Sequence, residues 1–148
     1  MTEVAQKIKP KITLLVVEDH EALRDSLKNW LLTVFEDFRV FLAASGEEAV
    51  DKAAELKPDI ILMDVFLPKL NGIDALRLIR NEMPEAKVIM LSIYEDPVYQ
   101  ADAIAAGACA YVAKRKMGTE LVPLIKRLLS DPQVSCDAGA GKKIIGGD

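Results

Sequence analysis

Five short apolar runs, each followed by a stretch with helical periodicity, constrain this chain more than any other feature. They are Ile12 to Val17, Arg39 to Leu42, Ile60 to Met63, Val88 to Leu91 and Cys109 to Val112. Strand-length runs alternating with helix-length segments predict βα units, and hence an α/β domain built on a doubly wound parallel sheet. The first, third and fourth runs are apolar at successive positions, as strands covered by helices on both faces must be, whereas Arg39 to Leu42 has an edge pattern. With 148 residues there is room for one such core and no second catalytic domain.

Helix signals fall between the runs. Leu23, Leu27, Trp30, Leu31 and Val34 form one apolar stripe, and Leu121, Leu124, Ile125, Leu128 and Leu129 form another. Ser45 with Glu48 three residues on has the pattern of a capping box, and Asp96-Pro97 that of an N-cap followed by proline at the first helical position. Pro123 falls in an early turn of the last helix, where a frayed or bent start is expected. Residues 1–11 and 131–148 lie outside the alternation and are expected to be flexible, flanking a domain over 12–130.

Composition removes several classes of function. A chain with 51% hydrophobic and 28% charged residues is neither disordered nor fibrous. Its formal net charge of −4 argues against generic binding to a nucleic-acid backbone. One histidine cannot supply a histidine-based zinc site, and the cysteine pair Cys109 and Cys136 is too few for a disulfide scaffold, which favours a reducing cytoplasm. Cys109 is expected to be a small buried hydrophobe and Cys136 a tail residue, with neither in the site. The first apolar run ends in Glu18-Asp19 without a cleavage motif, and no run approaches the roughly 18 apolar residues of a membrane span. GAGKK at 139–143 has neither the leading glycine nor the strand that a phosphate-binding loop needs.

In doubly wound sheets ligands bind beyond the carboxyl ends of the strands. Those ends carry Glu18-Asp19, Asp64, Ser92 and Lys114. Three crowded carboxylates repel one another unless a cation neutralises them, and an all-oxygen set suits Mg²⁺. A lysine and a hydroxyl beside them supply charge and hydrogen bonds for a phosphoryl group, and a carboxylate can serve as its acceptor.

The segments VVEDH at 16–20, LMDVFLPKLNG at 62–72, MLSIYED at 90–96 and AAGACAYVAK at 105–114 together resemble the receiver domain of two-component response regulators over about residues 11–130. That resemblance implies the flavodoxin-like strand order 2-1-3-4-5 and a phosphoacceptor switch. It implies that Asp64 accepts the phosphoryl group, that Asp19, Asp64 and the backbone carbonyl of Phe66 hold Mg²⁺ with Glu18 acting through water, and that Lys114 pairs with the phosphoryl group. Ser92 is implied as the hydroxyl that bonds a phosphoryl oxygen, and Tyr111 as an aromatic switch whose ring turns inward. Phosphoryl donors would be a histidine kinase or phosphotransfer protein, with a downstream protein, a missing output domain or a second copy as target. Phe66 and Tyr94 line the implied approach of hydrolytic water.

Arg115 follows Lys114 where many receivers have proline, a variant similar to receivers that precede helix-turn-helix domains. The 18 residues after Ser130 are too few for a DNA-reading domain, so output is expected elsewhere. The main rival is a Mg²⁺-dependent phosphohydrolase with Asp64 as nucleophile, but its general acid would fall on Phe66. A flavin module lacks a phosphate-cradling loop after the first run. His20 has no partner and is expected to face solvent at a helix start.

Overall fold

The structure is a computed structural model that describes residues 11–131 and residue 136. Its elements alternate as the apolar runs require: β1 (Ile12–Val17), α1 (Glu21–Val34), β2 (Phe38–Ala43), α2 (Gly46–Leu56), β3 (Ile60–Asp64), α3 (Gly72–Glu82), β4 (Val88–Ser92), α4 (Pro97–Ala105), β5 (Ala110–Ala113), a 3-10 turn (Lys114–Lys116) and α5 (Met117–Ser130). All strand pairs are parallel, and the sheet order is β2-β1-β3-β4-β5. The regions 1–10, 132–135 and 137–148, on which most of the expected flexible ends fall, lie outside the described residues.

Alternation along each strand divides the core in two. Leu14, Val16, Leu62, Ile89, Leu91 and Val112 pack with Leu27, Leu31, Leu121, Ile125 and Leu128, so α1 and α5 cover one face. Leu15, Val17, Ile61, Met63 and Met90 pack with Ala49, Ala53, Leu76, Ile79 and Ala103, so α2, α3 and α4 cover the other. The central strands are therefore buried at every position in β3 and β4, which is why their sequences read as continuous apolar runs. Val34, placed in the first apolar stripe, is instead exposed at the end of α1, and Trp30 is only half-buried.

Local signals set the helix starts. Ser45 accepts the Glu48 amide, while the Glu48 carboxylate reaches back to the Ala44 amide, one residue before the cap. That bond, helped by Lys52, holds the Glu48 carboxyl below its ordinary pKa. Asp96 caps α4 ahead of Pro97, and Asn71 caps α3 by accepting the Asp74 amide. α5 runs continuously through Pro123, and the irregular backbone lies before the helix, in the 3-10 turn.

The cysteines depart from the sequence reading. Cys109, just before β5, is bonded to Cys136 across 27 residues, with Cα atoms 4.6 Å apart and both residues buried. Cys136, six residues beyond the end of α5, lies against the residue that precedes β5. Two cysteines and no repeating framework gave no signal of this, and the cysteine count loses its force as an argument for a reducing compartment. Cross-linking a loop of this length is worth about 2–4 kcal/mol. Reduction with dithiothreitol, or Cys136→Ser, is expected to lower the unfolding free energy by about that amount. Urea titration with and without reductant checks it, and identical midpoints would contradict it.

Candidate functional site

The carboxyl ends of β1, β3, β4 and β5 converge on one pocket because parallel strands all point the same way. β1 delivers Glu18 and Asp19, β3 ends on Asp64, β4 ends on Ser92, and Lys114 opens the 3-10 turn after β5. Gly72, the first residue of α3, donates its amide to the Val65 carbonyl at 2.8 Å. A β-carbon at this position would overlap the Asp64 carbonyl oxygen, so only glycine lets the helix start approach the strand end this closely. In the intervening loop Lys69 adopts the left-handed region at φ 62°.

Lys114 is the electrostatic centre. Its Nζ donates to Glu18 Oε1 and to Asp64 Oδ2, each at 2.9 Å. Asp64 Oδ1 accepts the Phe66 amide at 3.0 Å, and Glu18 Oε2 accepts the His20 amide at 3.1 Å. Glu18 and Asp64 are buried, at 1% and 6% exposure, whereas Asp19 faces solvent. Burial raises the Glu18 carboxyl above its ordinary pKa, the bond to Lys114 opposes that rise, and the Asp64 charge adds to it. Burial alone would lower the Lys114 ammonium, but hydrogen bonds and charge from Asp64 and Glu18 outweigh it, and its pKa is raised.

Glu18, Asp19 and Asp64 place ligand oxygens within 4.8 Å of one another. Against one ammonium, the three carboxylates leave an excess of two negative charges when all are ionised. Hard oxygen donors with that excess fit a small divalent cation such as Mg²⁺. Asp19 does not cap α1; that position belongs to His20, which is exposed and makes no side-chain capping bond.

Ser92 is fully buried, and its Oγ accepts the Tyr94 amide at 2.9 Å. Tyr111 is buried in β5, and its hydroxyl donates to the Tyr94 carbonyl at 2.7 Å. The ring that the family resemblance has turning inward on switching is thus already inside. Burial raises its phenol pKa, against a lowering bond from Ser92. Phe66 and Tyr94 lie edge to face with ring centroids 4.9 Å apart, and Tyr99 packs edge-on to Phe66 at 5.0 Å. Tyr99 was not singled out by the sequence; only its place in the first turn of α4, beside the loop after Ser92, could have marked it.

The family model of the response regulator receiver domain matches residues 14–126. The chain belongs to that family. Over 119 residues it is 34% identical to the transcriptional regulatory protein MctR of Rhizobium johnstonii, covering 80% of this chain and 55% of that protein. It is 36% identical over 118 residues to the response regulator protein VraR of Staphylococcus aureus, covering 78% and 56%. The chain spans about half the length of the curated relatives it matches. Among solved structures it resembles the response regulator domain of Thermotoga maritima CheB, at a TM-score of 0.74 and 36% identity, covering 82% of this chain and 98% of that one. A CheY-like receiver domain protein from Methanospirillum hungatei gives a TM-score of 0.76 at 28% identity, covering 84% and 98%. The receiver is a signalling domain rather than a conventional enzyme, and the phosphohydrolase alternative has no support among these relatives.

The acidic excess has a measurable cost. Asp19→Asn, at an exposed position, is expected to stabilise the metal-free protein by up to about 1 kcal/mol by relieving repulsion at this separation. Saturating Mg²⁺ is expected to remove that advantage by stabilising the wild type alone. Urea unfolding with and without Mg²⁺ measures both effects, and a destabilised metal-free variant would contradict the electrostatic account.

Proposed function

We propose that this receiver is a phosphoacceptor switch in which Asp64 takes the phosphoryl group from a phosphohistidine on a histidine kinase or phosphotransfer protein. The observation that carries the reading is the Lys114 ammonium bonded to both Asp64 and Glu18 in a pocket with three carboxylates. In the transfer, an Asp64 carboxylate oxygen forms the new O–P bond as the P–N bond to the donor imidazole breaks, and the nitrogen keeps the electron pair. Asp19, Asp64 and the Phe66 carbonyl would hold Mg²⁺, with Glu18 acting through water. The ion supplies charge neutralisation for the transferring phosphoryl oxygens.

The chain's own residues do the positioning. The Phe66 amide fixes the rotation of the Asp64 carboxylate by bonding one oxygen, and Lys114 meets the other. Once the carboxylate becomes an acyl phosphate, Lys114 can follow the charge onto the phosphoryl oxygens with little movement. Ser92 would donate its hydroxyl to one of those oxygens, and a shift of its Oγ toward the phosphoryl group would pull on the Tyr94 amide it accepts and so on the loop into α4. Because Tyr111 is already buried on the Tyr94 carbonyl, the expected change is a shift of this loop rather than a large ring rotation.

Signal output then passes to a partner protein, a further domain or a second copy of the chain. A phosphodonor kinase consumes nucleoside triphosphate, which places the reading in the cytoplasm. Thiol pools there oppose the Cys109–Cys136 bond, although both residues are buried.

With a small phosphodonor and Mg²⁺, the wild type is expected to gain one phosphoryl group and Asp64→Asn none, by intact mass spectrometry. Unchanged labelling of a folded Asp64→Asn protein would put the acceptor elsewhere. Phe66 and Tyr94, at 41% and 48% exposure, form an aromatic pair beside the strand ends and restrict where an attacking water can stand. Phe66→Asn and Tyr94→Glu are therefore expected to shorten the lifetime of the label after donor removal. Equal decay in all three proteins would show that these rings do not gate water.

A further inference from the structure

The 3-10 turn that begins with Lys114 grips the loop after Ser92 at a second point. Arg115 donates from Nε to Glu95 Oε2 at 2.5 Å and from Nη2 to Glu95 Oε1 at 3.0 Å, a two-pronged contact between segments 20 residues apart. Glu95 lies three residues after Ser92, and Arg115 directly follows Lys114. The same loop is held from β5 by the Tyr111 hydroxyl on the Tyr94 carbonyl. Between these anchors is a small cleft lined by Glu95, Gln100, Tyr111, Ala113, Lys116 and Glu120. At Arg115 the turn lacks the stiffness of the proline common at that place in receivers. The pair shifts both partners' pKa values in the direction that keeps them ionised.

We propose that Arg115 and Glu95 are a positioning pair, which couples the turn carrying Lys114 to the loop following Ser92 so that ammonium and hydroxyl reach the phosphoryl group together. This rests on the phosphoacceptor reading above. The side chains are 66% and 41% exposed, so the pair contributes little to the stability of the fold. Its effect falls on the relative placement of two loops that are also joined through their strands, through Tyr111 and through the charge of Lys116 on Glu95. Exposed charges also make that effect sensitive to salt.

The test is the rate of Asp64 labelling by a small phosphodonor in the full chain with Mg²⁺, alongside urea unfolding. Arg115→Ala and Glu95→Ala are each expected to slow labelling about threefold, the scale of an exposed ion pair, with an unchanged unfolding midpoint. The double exchange of Glu95→Arg with Arg115→Glu is expected to restore the rate, and salt at about 1 M to level wild type and single variants. Amide hydrogen exchange at Tyr94 and Glu95 is expected to quicken in both alanine variants. Wild-type rates in the single variants, no recovery in the double exchange, or a fall in midpoint matching the fall in rate would each overturn the positioning role. A wild type that takes no label at Asp64 would overturn the phosphoacceptor reading and this inference with it, an outcome distinguished by the wild type's own behaviour.

Discussion

A buried carboxylate without a counter-charge is one of the more costly features a small domain can carry, and this one holds Glu18 and Asp64 side by side. The Lys114 ammonium makes that tolerable by bonding to both at 2.9 Å. Much of the architecture serves this contact. The parallel sheet brings strand ends to a common edge, Gly72 lets α3 close against the back of Asp64, and the 3-10 turn aims Lys114 inward before α5 begins. The neutralisation is incomplete, and the remaining negative charge suits the cluster to a divalent cation.

The sheet was legible because burial writes itself into sequence. β3 and β4 lie between helices on both faces, so every position is apolar until the strand reaches Asp64 or Ser92. The same contrast exposed the site, since charged and hydroxyl residues closing such runs stand out. Helix starts with side-chain caps, at Ser45 and Asp96, were readable from local chemistry. Strand order was not: periodicity is blind to which strands are neighbours, and only the resemblance to receivers supplied 2-1-3-4-5.

What sequence missed depends on contacts between distant segments. Nothing near Cys136 announces Cys109, because the two lie 27 residues apart and meet only in the fold. Arg115 reads as part of a solvated basic run with Lys116, and only the fold brings it to Glu95. The inward placement of Tyr111 is likewise a property of the β4–α4 loop, whose Tyr94 carbonyl receives its hydroxyl. The Arg115 and Tyr111 contacts lie beside the strand-end cluster, whereas the disulfide closes the opposite, amino end of β5.

A crystal structure of the chain soaked with Mg²⁺ and beryllofluoride, a stable phosphoryl mimic, tests most directly whether the Lys114-bridged site receives the phosphoryl group. The expected result is beryllium bonded to an Asp64 carboxylate oxygen, Lys114 and Ser92 in contact with fluorides, and Mg²⁺ held by Asp19, Asp64 and the Phe66 carbonyl. Beryllofluoride on another side chain, or an Asp64 left bonded to Lys114 with no adduct at saturating reagent, would contradict the account.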